Sequence, residues 1–268
     1  MSKLSSEEKL MNVLKEMGSV AICFSGGVDS TLLAAAAERA LPEDKFLLFH
    51  AISEMLPRRE HEFAMNWTRE NDLPLRLIRL KPLEDSDVVR NDQQRCYYCK
   101  KIIMRGIIEA AKAAGMAYVA DGYNLDDIDD YRPGTAAAEE LGVRHPLLEA
   151  GFDKKMIREL SHEWGIPNYD SPASACLASR VPYGKLLDAK SLKIVDAAEE
   201  YLQDIGFAGC RVRLQGKNDA RIELRMADLA KAAILSTQIT EKLKRIGFEN
   251  VLLDLSGYRR GGGFNPKK

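Results

Sequence analysis

Ser25-Gly26-Gly27-Val28-Asp29-Ser30-Thr31 decides the reading of this chain. Ahead of it runs Ser19-Val-Ala-Ile-Cys-Phe24, a short apolar segment of β-formers; behind it runs Leu32 to Leu41, rich in alanine and leucine. A buried strand, a glycine turn and a helix N-terminus fit that order. The first amides of a helix have no partner inside it, and its dipole turns positive there. Two glycines let the backbone approach an anion, and Ser25, Ser30 and Thr31 add hydroxyls. The stretch reads as a phosphate cradle rather than a turn with no ligand.

No Gly-Lys-Ser/Thr follows the glycines, so it is not a Walker A loop, nor is it the Gly-x-Gly-x-x-Gly dinucleotide pattern. Ser-Gly-Gly-x-Asp-Ser resembles the PP-loop of ATP pyrophosphatases, which cleave ATP between its α and β phosphates. That resemblance makes Ser25, Gly26, Gly27, Asp29, Ser30 and Thr31 the expected ATP-binding residues.

The flanking chain supports an α/β fold. Residues 4–17 form an amphipathic pattern, with Leu4, Leu10, Val13, Leu14 and Met17 on one face. Lys45–Ile52 and Leu75–Leu80 read as strands and Arg58–Asn71 as a helix, the alternation of a doubly wound parallel sheet. In such sheets ligands sit at the carboxyl ends of the strands, where the glycine turn falls. Ala117–Ala120 reads as a fourth strand. Asp121 and Gly122 leave its carboxyl end, and Asp121 is a candidate for Mg²⁺, which prefers oxygen ligands. The other carboxylates up to Asp130 read as a solvated acidic loop, followed by a turn at Asp130–Gly134. Arg144–Leu148 reads as extended, with His145 structural, and 153–164 as a helix capped by Asp153.

The chain has 268 residues, with Lys+Arg 39 against Asp+Glu 40. It lacks the basic field that holds a polyanion, which weighs against a nucleic-acid partner. No apolar run approaches the length of a membrane span, and no apolar signal core stands at the start, so a cytoplasmic location is expected. The five cysteines are Cys23, Cys96, Cys99, Cys176 and Cys210, a set that suits thiols or metal ligands better than disulfides. Cys96 and Cys99 are three apart, which lets both sulfurs face one metal, and a helix is expected from Ile102 to Ala114. Cys23 and Cys210 read as packing residues.

A second stretch is Pro172-Ala-Ser-Ala-Cys176-Leu-Ala-Ser179-Arg180-Val-Pro182-Tyr-Gly184. Small residues permit close backbone approach, and an arginine pairs with a phosphate or carboxylate. Beyond it the chain reads as a smaller α+β domain: a helix at 188–205, a hairpin turning at Gly216–Asp219, a helix over about 227–246 and a strand at 249–255. Period 2 puts Arg211, Arg213, Arg221 and Glu223 on one face of the hairpin, suited to an anion or merely solvated. The expected boundary gives domains at 1–168 and 169–268.

The cysteine stretch, the PP-loop, Asp121-Gly122 and Asp130-Tyr-Arg-Pro-Gly134 together resemble the LarE family, from Val20 to Arg259. These are ATP-dependent sulfur transferases of nickel-pincer cofactor synthesis for lactate racemase. The resemblance implies that a carboxylate of pyridinium-3,5-biscarboxylic acid mononucleotide is adenylated, pyrophosphate leaves, and sulfur is installed. It makes Cys176 the catalytic cysteine and Ser179, Arg180, Arg211, Arg213, Arg221 and Glu223 substrate-binding residues, with Glu199 and Arg259 weaker candidates of the same kind. In sacrificial members the matching cysteine gives up its own sulfur and becomes dehydroalanine. This chain departs from them in carrying Cys96 and Cys99, and three thiolates, Cys96, Cys99 and Cys176, suit a [4Fe–4S] cluster with one open iron. The resemblance also implies ATP, Mg²⁺ and a homo-oligomer. A PP-loop tRNA-thiolating enzyme, an amide-forming synthetase or a non-catalytic nucleotide sensor are the alternatives.

Overall fold

The computed structural model describes residues 5–128, 133–172 and 175–259. The chain divides into two units, one formed by Met1–Ser53, Arg59–Pro82 and Cys96–Ser174, the other by Glu54–Arg58, Leu83–Arg95 and Ala175–Lys268. Leu4 of the first amphipathic pattern, Asp130–Arg132 of the acidic-loop turn and Ala173–Ser174 of the cysteine stretch lie outside the described residues.

The first unit is built on four parallel strands, β1 (Val20–Cys23), β2 (Phe46–Ile52), β3 (Leu75–Arg79) and β4 (Tyr118–Ala120), in the order β3-β2-β1-β4. Alternate residues point to opposite faces of a strand, so each strand needs cover on both sides. Val20, Ile22, Phe46 and Leu48 pack against Leu10 and Leu14 of α1 (Ser6–Met17), Leu32 and Leu33 of α2 (Val28–Ala40) and Trp67 of α3 (Arg58–Glu70). Ile157 and Leu160 of α8 (Lys154–Glu163) join the same core. On the other face Ala21, Leu47 and Phe49 meet Ile107 and Ala111 of α5 (Arg95–Ala113). The sheet is doubly wound, as the alternation of strand and helix predicts. Strand order reverses between β1 and β4, and ligands bind at that crevice in open α/β sheets.

Two short helices, α6 (Pro133–Glu140) and α7 (Pro146–Glu149), complete this unit, and a third, α4 (Ser86–Val89), belongs to the other. Two expectations change. The helix expected from Ile102 begins at Arg95, which puts Cys96 and Cys99 in its first turns. The piece expected to be extended at 144–148 splits: Arg144 bridges to Ala120 along the sheet, and then Pro146, well suited to a first helical position, opens α7.

The second unit carries α9 (Ala189–Asp204), the antiparallel hairpin β5 (Arg211–Gln215) and β6 (Asp219–Glu223), then α10 (Leu229–Ile234), α11 (Ser236–Ile246) and β7 (Val251–Leu253), parallel to β6. Leu192, Val195, Ala198 and Leu202 are the buried face of α9, as the periodicity predicts. The single helix expected at 227–246 is two. Leu235 leaves helical geometry (φ −89°, ψ 10°), and Ser236 and Thr237 begin a helix more readily than they continue one. Among the described residues no helix is long and apolar enough to cross a membrane.

Candidate functional site

In the first unit the glycine turn leaves β1 and enters α2 at the switch point. Gly26 has φ +83°, a left-handed conformation, and a Cβ there would lie 3.1 Å from the Glu60 carbonyl oxygen. Gly27 is the N-cap of α2 and supplies no side chain, so the first amides keep no capping partner from their own helix. The hydroxyls fold back on the turn: Ser30 Oγ donates to the Gly27 carbonyl at 2.9 Å and Thr31 Oγ1 to the same oxygen at 3.0 Å. Ser25 Oγ lies 3.1 Å from Ser30 Oγ and accepts from the Gly27 amide at 3.3 Å.

Four residues that sequence reasoning did not assign to this site converge on it. Asn168 is buried and donates its amide to the Gly26 carbonyl at 2.8 Å, with Thr31 Oγ1 at 3.3 Å. Lys154, the first residue of α8, holds both oxygens of Asp29. Lys100 Nζ lies 2.9 Å from Asp121 Oδ2, and His145 Nδ1 lies 2.7 Å from Asp121 Oδ1. His145 Nε2 is buried and makes no hydrogen bond. For Lys154 the only sequence signal was its place after the helix-capping Asp153; for Asn168 there was none, because its partner lies 142 positions back in the chain.

Asp121 is therefore placed differently from a free metal ligand. Both its oxygens are engaged, and Mg²⁺ would have to displace a lysine or a histidine. Burial would push its carboxyl up, but the Lys100 charge and the His145 hydrogen bond outweigh burial and hold it well below the usual carboxylate range. Burial opposes the Lys100 charge in turn, and Asp121 with Cys23 raises it above the ordinary lysine value. Gly122 has a steric reason for its place: a Cβ there would lie 2.9 Å from Asp29 Cβ and 3.0 Å from the Ser30 amide nitrogen. Burial pushes the nearby Cys23 thiol up to about 12, in keeping with a packing role.

Cys96 and Cys99 sit three apart on α5, half-buried and outside any disulfide, so their side chains leave one face of the helix. Cys176 belongs to the second unit. Within neither unit do three or more His, Cys, Asp or Glu side chains gather as a metal site among the described residues.

In the second unit Cys176 caps a single tight turn, Leu177–Arg180. Arg180 and Glu199 form a two-pronged ion pair at 2.9 and 2.8 Å, and their side chains are 2% and 5% exposed. The third arm of Arg180 donates to the carbonyls of Ala175 (2.5 Å) and Cys176 (3.1 Å) and to Ser179 Oγ (2.9 Å). Arg180 is thus the pin of the cysteine turn. Arg95 and Asn91, neither expected, hold the same segment: Arg95 donates to the Ala178 carbonyl at 3.0 Å, and Asn91 to the carbonyls of Pro182 and Lys185.

The hairpin register pairs Arg211 with Glu223 and Arg213 with Arg221, so all four share one face, as period 2 predicts. Arg213 donates to Glu223 at 2.7 Å and to the Ser179 carbonyl at 3.0 Å, tying the hairpin to the cysteine turn. Arg221 reaches the same Glu223 oxygen at 2.8 Å. The Arg211 guanidinium lies 5.4 Å from the Tyr258 ring centre. Arg221 also lies 3.8 Å from Asp254, so the three arginines of this face stand against two carboxylates and leave one positive charge beside the cysteine turn, which suits an anionic ligand. Glu199 also accepts from the Val212 amide at 2.8 Å, so both its oxygens are engaged within the unit, and Arg259 is exposed. Burial pushes Cys210 up to about 12.

No family model matches the chain. Over 253 residues it is 37% identical to the pyridinium-3,5-bisthiocarboxylic acid mononucleotide synthase of Lactiplantibacillus plantarum, covering 94% of this chain and 91% of that protein. It is 35% identical over 259 residues to an uncharacterised protein of Synechocystis, covering 96% of each. It is also 30% identical over 258 residues to an uncharacterised protein of Methanocaldococcus jannaschii, covering 94% of this chain and 96% of the other.

Proposed function

The chain belongs to the LarE family of ATP-dependent sulfur transferases, and on that premise we propose that it converts pyridinium-3,5-biscarboxylic acid mononucleotide to its thiocarboxylic form for a nickel-pincer cofactor. The observation that carries the proposal is the uncapped glycine turn at the sheet's switch point, in a chain collinear over nine-tenths of its length with a synthase of that product.

A carboxylate is a poor acyl donor because its oxygen does not leave. In the proposed first step a substrate carboxylate oxygen attacks the α-phosphorus of ATP and the bond to pyrophosphate breaks. The amides at the start of α2 and the hydroxyls of Ser25, Ser30 and Thr31 would take the charge that builds on pyrophosphate. Asp121 holds and orients the Lys100 ammonium at the same crevice. Mg²⁺ bound with the nucleotide would offset part of the charge on the departing pyrophosphate.

Sulfur then attacks the acyl carbon and AMP leaves. In one route the Cys176 thiolate forms a thioester. Loss of its α-proton then breaks the Cβ–S bond and leaves the thiocarboxylate and dehydroalanine. In the other, Cys96, Cys99 and Cys176 would supply three thiolates to an iron–sulfur cluster, which when bound supplies the sulfur. The half-buried helical pair Cys96/Cys99 supports this second route. Arg211, Arg213 and Arg221 would hold the phosphate or second carboxylate of the substrate. A cytoplasmic homo-oligomer belongs to the same reading, supported by the family resemblance and by the exposed Met226, Ile234, Leu252 and Leu255.

The test is anaerobic incubation with ATP, Mg²⁺ and the mononucleotide, read by pyrophosphate release and product mass. Substrate-dependent pyrophosphate and a product heavier by the exchange of oxygen for sulfur support the proposal; ATP binding with no pyrophosphate release sinks it. Iron and labile sulfide in the wild type, absent in Cys96→Ala, select the cluster route; a Cys176 residue lighter by one H₂S selects the sacrificial one.

A further inference from the structure

β1 gives way to the glycine turn at Phe24, and a buried histidine holds the join. The register of β1 with β2 ends at Cys23 and Phe49, and the Phe24 amide donates to the Phe49 carbonyl at 2.9 Å. The Phe24 carbonyl, immediately before Ser25, meets Nδ1 of His50 at 2.8 Å, and His50 is fully buried on β2. A carbonyl only accepts, so Nδ1 carries the proton. Burial, helped by the neighbouring His61, outweighs the Phe24 bond and holds the His50 ring below the ordinary histidine value. The ring is therefore neutral and its Nε2 is an acceptor. His61 of α3 faces it, with Nδ1 at 3.1 Å, and supplies the proton of that bond. The ring planes differ by 13° and the ring centres are 5.2 Å apart, so the two rings meet nitrogen to nitrogen rather than face to face. The donors run one way, from His61 to His50 to the Phe24 carbonyl. α3 meets the turn a second time, since the Glu60 carbonyl oxygen would lie 3.1 Å from a Cβ at Gly26.

We propose that His50 is a positioning residue of the glycine turn: its Nδ1–H, kept in that tautomer by His61, fixes the peptide by which the chain leaves the sheet. The proposal rests on the reading of the turn as a phosphate cradle. The Phe24 carbonyl and the Ser25 amide belong to one planar peptide, so holding the oxygen also aims the N–H. That N–H donates to Ser30 Oγ at 3.3 Å, inside the turn. A tilt of this peptide would therefore carry Ser25 and Ser30 with it, at the head of the first turn of α2. A side chain reaches past the end of the strand, where the register with β2 has stopped. His50 acts through the peptide and touches no ligand itself.

Rescue by a conservative variant separates this role from plain core packing. Asparagine carries its side-chain N–H close to where histidine carries Nδ1, so His50→Asn keeps the donor to Phe24, whereas His50→Leu keeps apolar bulk and loses it. The same comparison is made at the half-buried His61, a more tolerant position, where His61→Asn keeps the donor to His50 and His61→Leu removes it. Inorganic pyrophosphate is titrated calorimetrically into the wild type and the four variants, each checked by thermal unfolding. KM for ATP and kcat come from pyrophosphate release with the mononucleotide. The leucine variants are expected to bind pyrophosphate about tenfold more weakly and to raise KM for ATP by a like factor, with the asparagine variants within about threefold of the wild type. If asparagine weakens binding as much as leucine does, the histidines serve packing alone and the inference is overturned. If the leucine variants bind as the wild type does, the turn holds itself and the inference is equally overturned. If the folded wild type takes up no pyrophosphate at all, the reading of the turn falls and the inference with it.

Discussion

Asn168 donates its side-chain amide to the carbonyl of Gly26, 142 positions earlier in the chain, and so fixes from outside the one left-handed residue of the glycine turn. With that carbonyl held inward and the Gly27 amide taken by Ser25 Oγ, the amides of the first turn of α2, which have no acceptor in their own helix, can face the crevice. Asn168→Ala leaves a buried carbonyl without its donor, which costs about 1–3 kcal/mol. The expected outcome is a lower midpoint in urea together with a raised KM for ATP. Lowered stability with unchanged ATP kinetics would confine Asn168 to a structural role.

Gly122 has no room for a methyl group, because the atoms it would strike belong to the backbone and Cβ of the α2 start. Gly122→Ala is expected to push the β4 loop off the glycine turn. Pyrophosphate release should fall by about tenfold or more, as misplacement by an ångström costs catalysis heavily. Full activity in the alanine variant would show that the crevice widens without harm.

Arg180 and Glu199 are a buried pair, and removing one partner strands the other charge, at a cost of about 3–5 kcal/mol. Arg180→Met and Glu199→Met are each expected to be strongly destabilised, with the double variant closer to the wild type. Sulfur transfer should still be lost in the double variant, since the carbonyls of Ala175 and Cys176 no longer have their pin. Urea unfolding and product mass read the two effects separately.

The Asp121 carboxyl is held below its ordinary value in the folded chain. In acid the unfolded chain therefore binds a proton there that the native chain does not, so this contribution is complete above about pH 5 and shrinks as pH falls below about 4. Between about pH 6 and about pH 3 the wild type should lose about 1 kcal/mol more than Asp121→Asn. Parallel losses would mean that Lys100 and His145 do not hold the proton off.

Burial pushes the thiols of Cys23 and Cys210 up to about 12. At about pH 8 only about one in ten thousand of each is thiolate, the reactive form. Iodoacetamide should leave both unlabelled in native protein and label them in urea, as peptide mass mapping would show. Rapid native labelling of Cys23 would contradict its packing against Met104 at 3.5 Å.

Local signals carried most of the fold. The run from Ser19 to Leu41 specified strand, turn and helix because apolar period, glycine and helix formers all agree within about two dozen residues. The alternation along the first half predicted a doubly wound sheet, and hairpin period 2 put Arg211, Arg213, Arg221 and Glu223 on one face, as the register has it. Boundaries were less legible. Arg95-Cys-Tyr-Tyr-Cys99 has no apolar stripe to mark the first turn of α5, and Ser236 breaks a helix that periodicity alone would carry through.

The sequence by itself determined which residues are chemically equipped: the glycine turn, the cysteines and the arginines of the hairpin announce themselves by type and spacing. Tertiary structure alone decided who neutralises whom. That Lys154 answers Asp29, that Lys100 and His145 take both oxygens of Asp121, and that Arg180 is occupied by Glu199 all depend on side chains brought together over long loops. Charges act through space over a few ångströms, and distance along the chain carries no record of it.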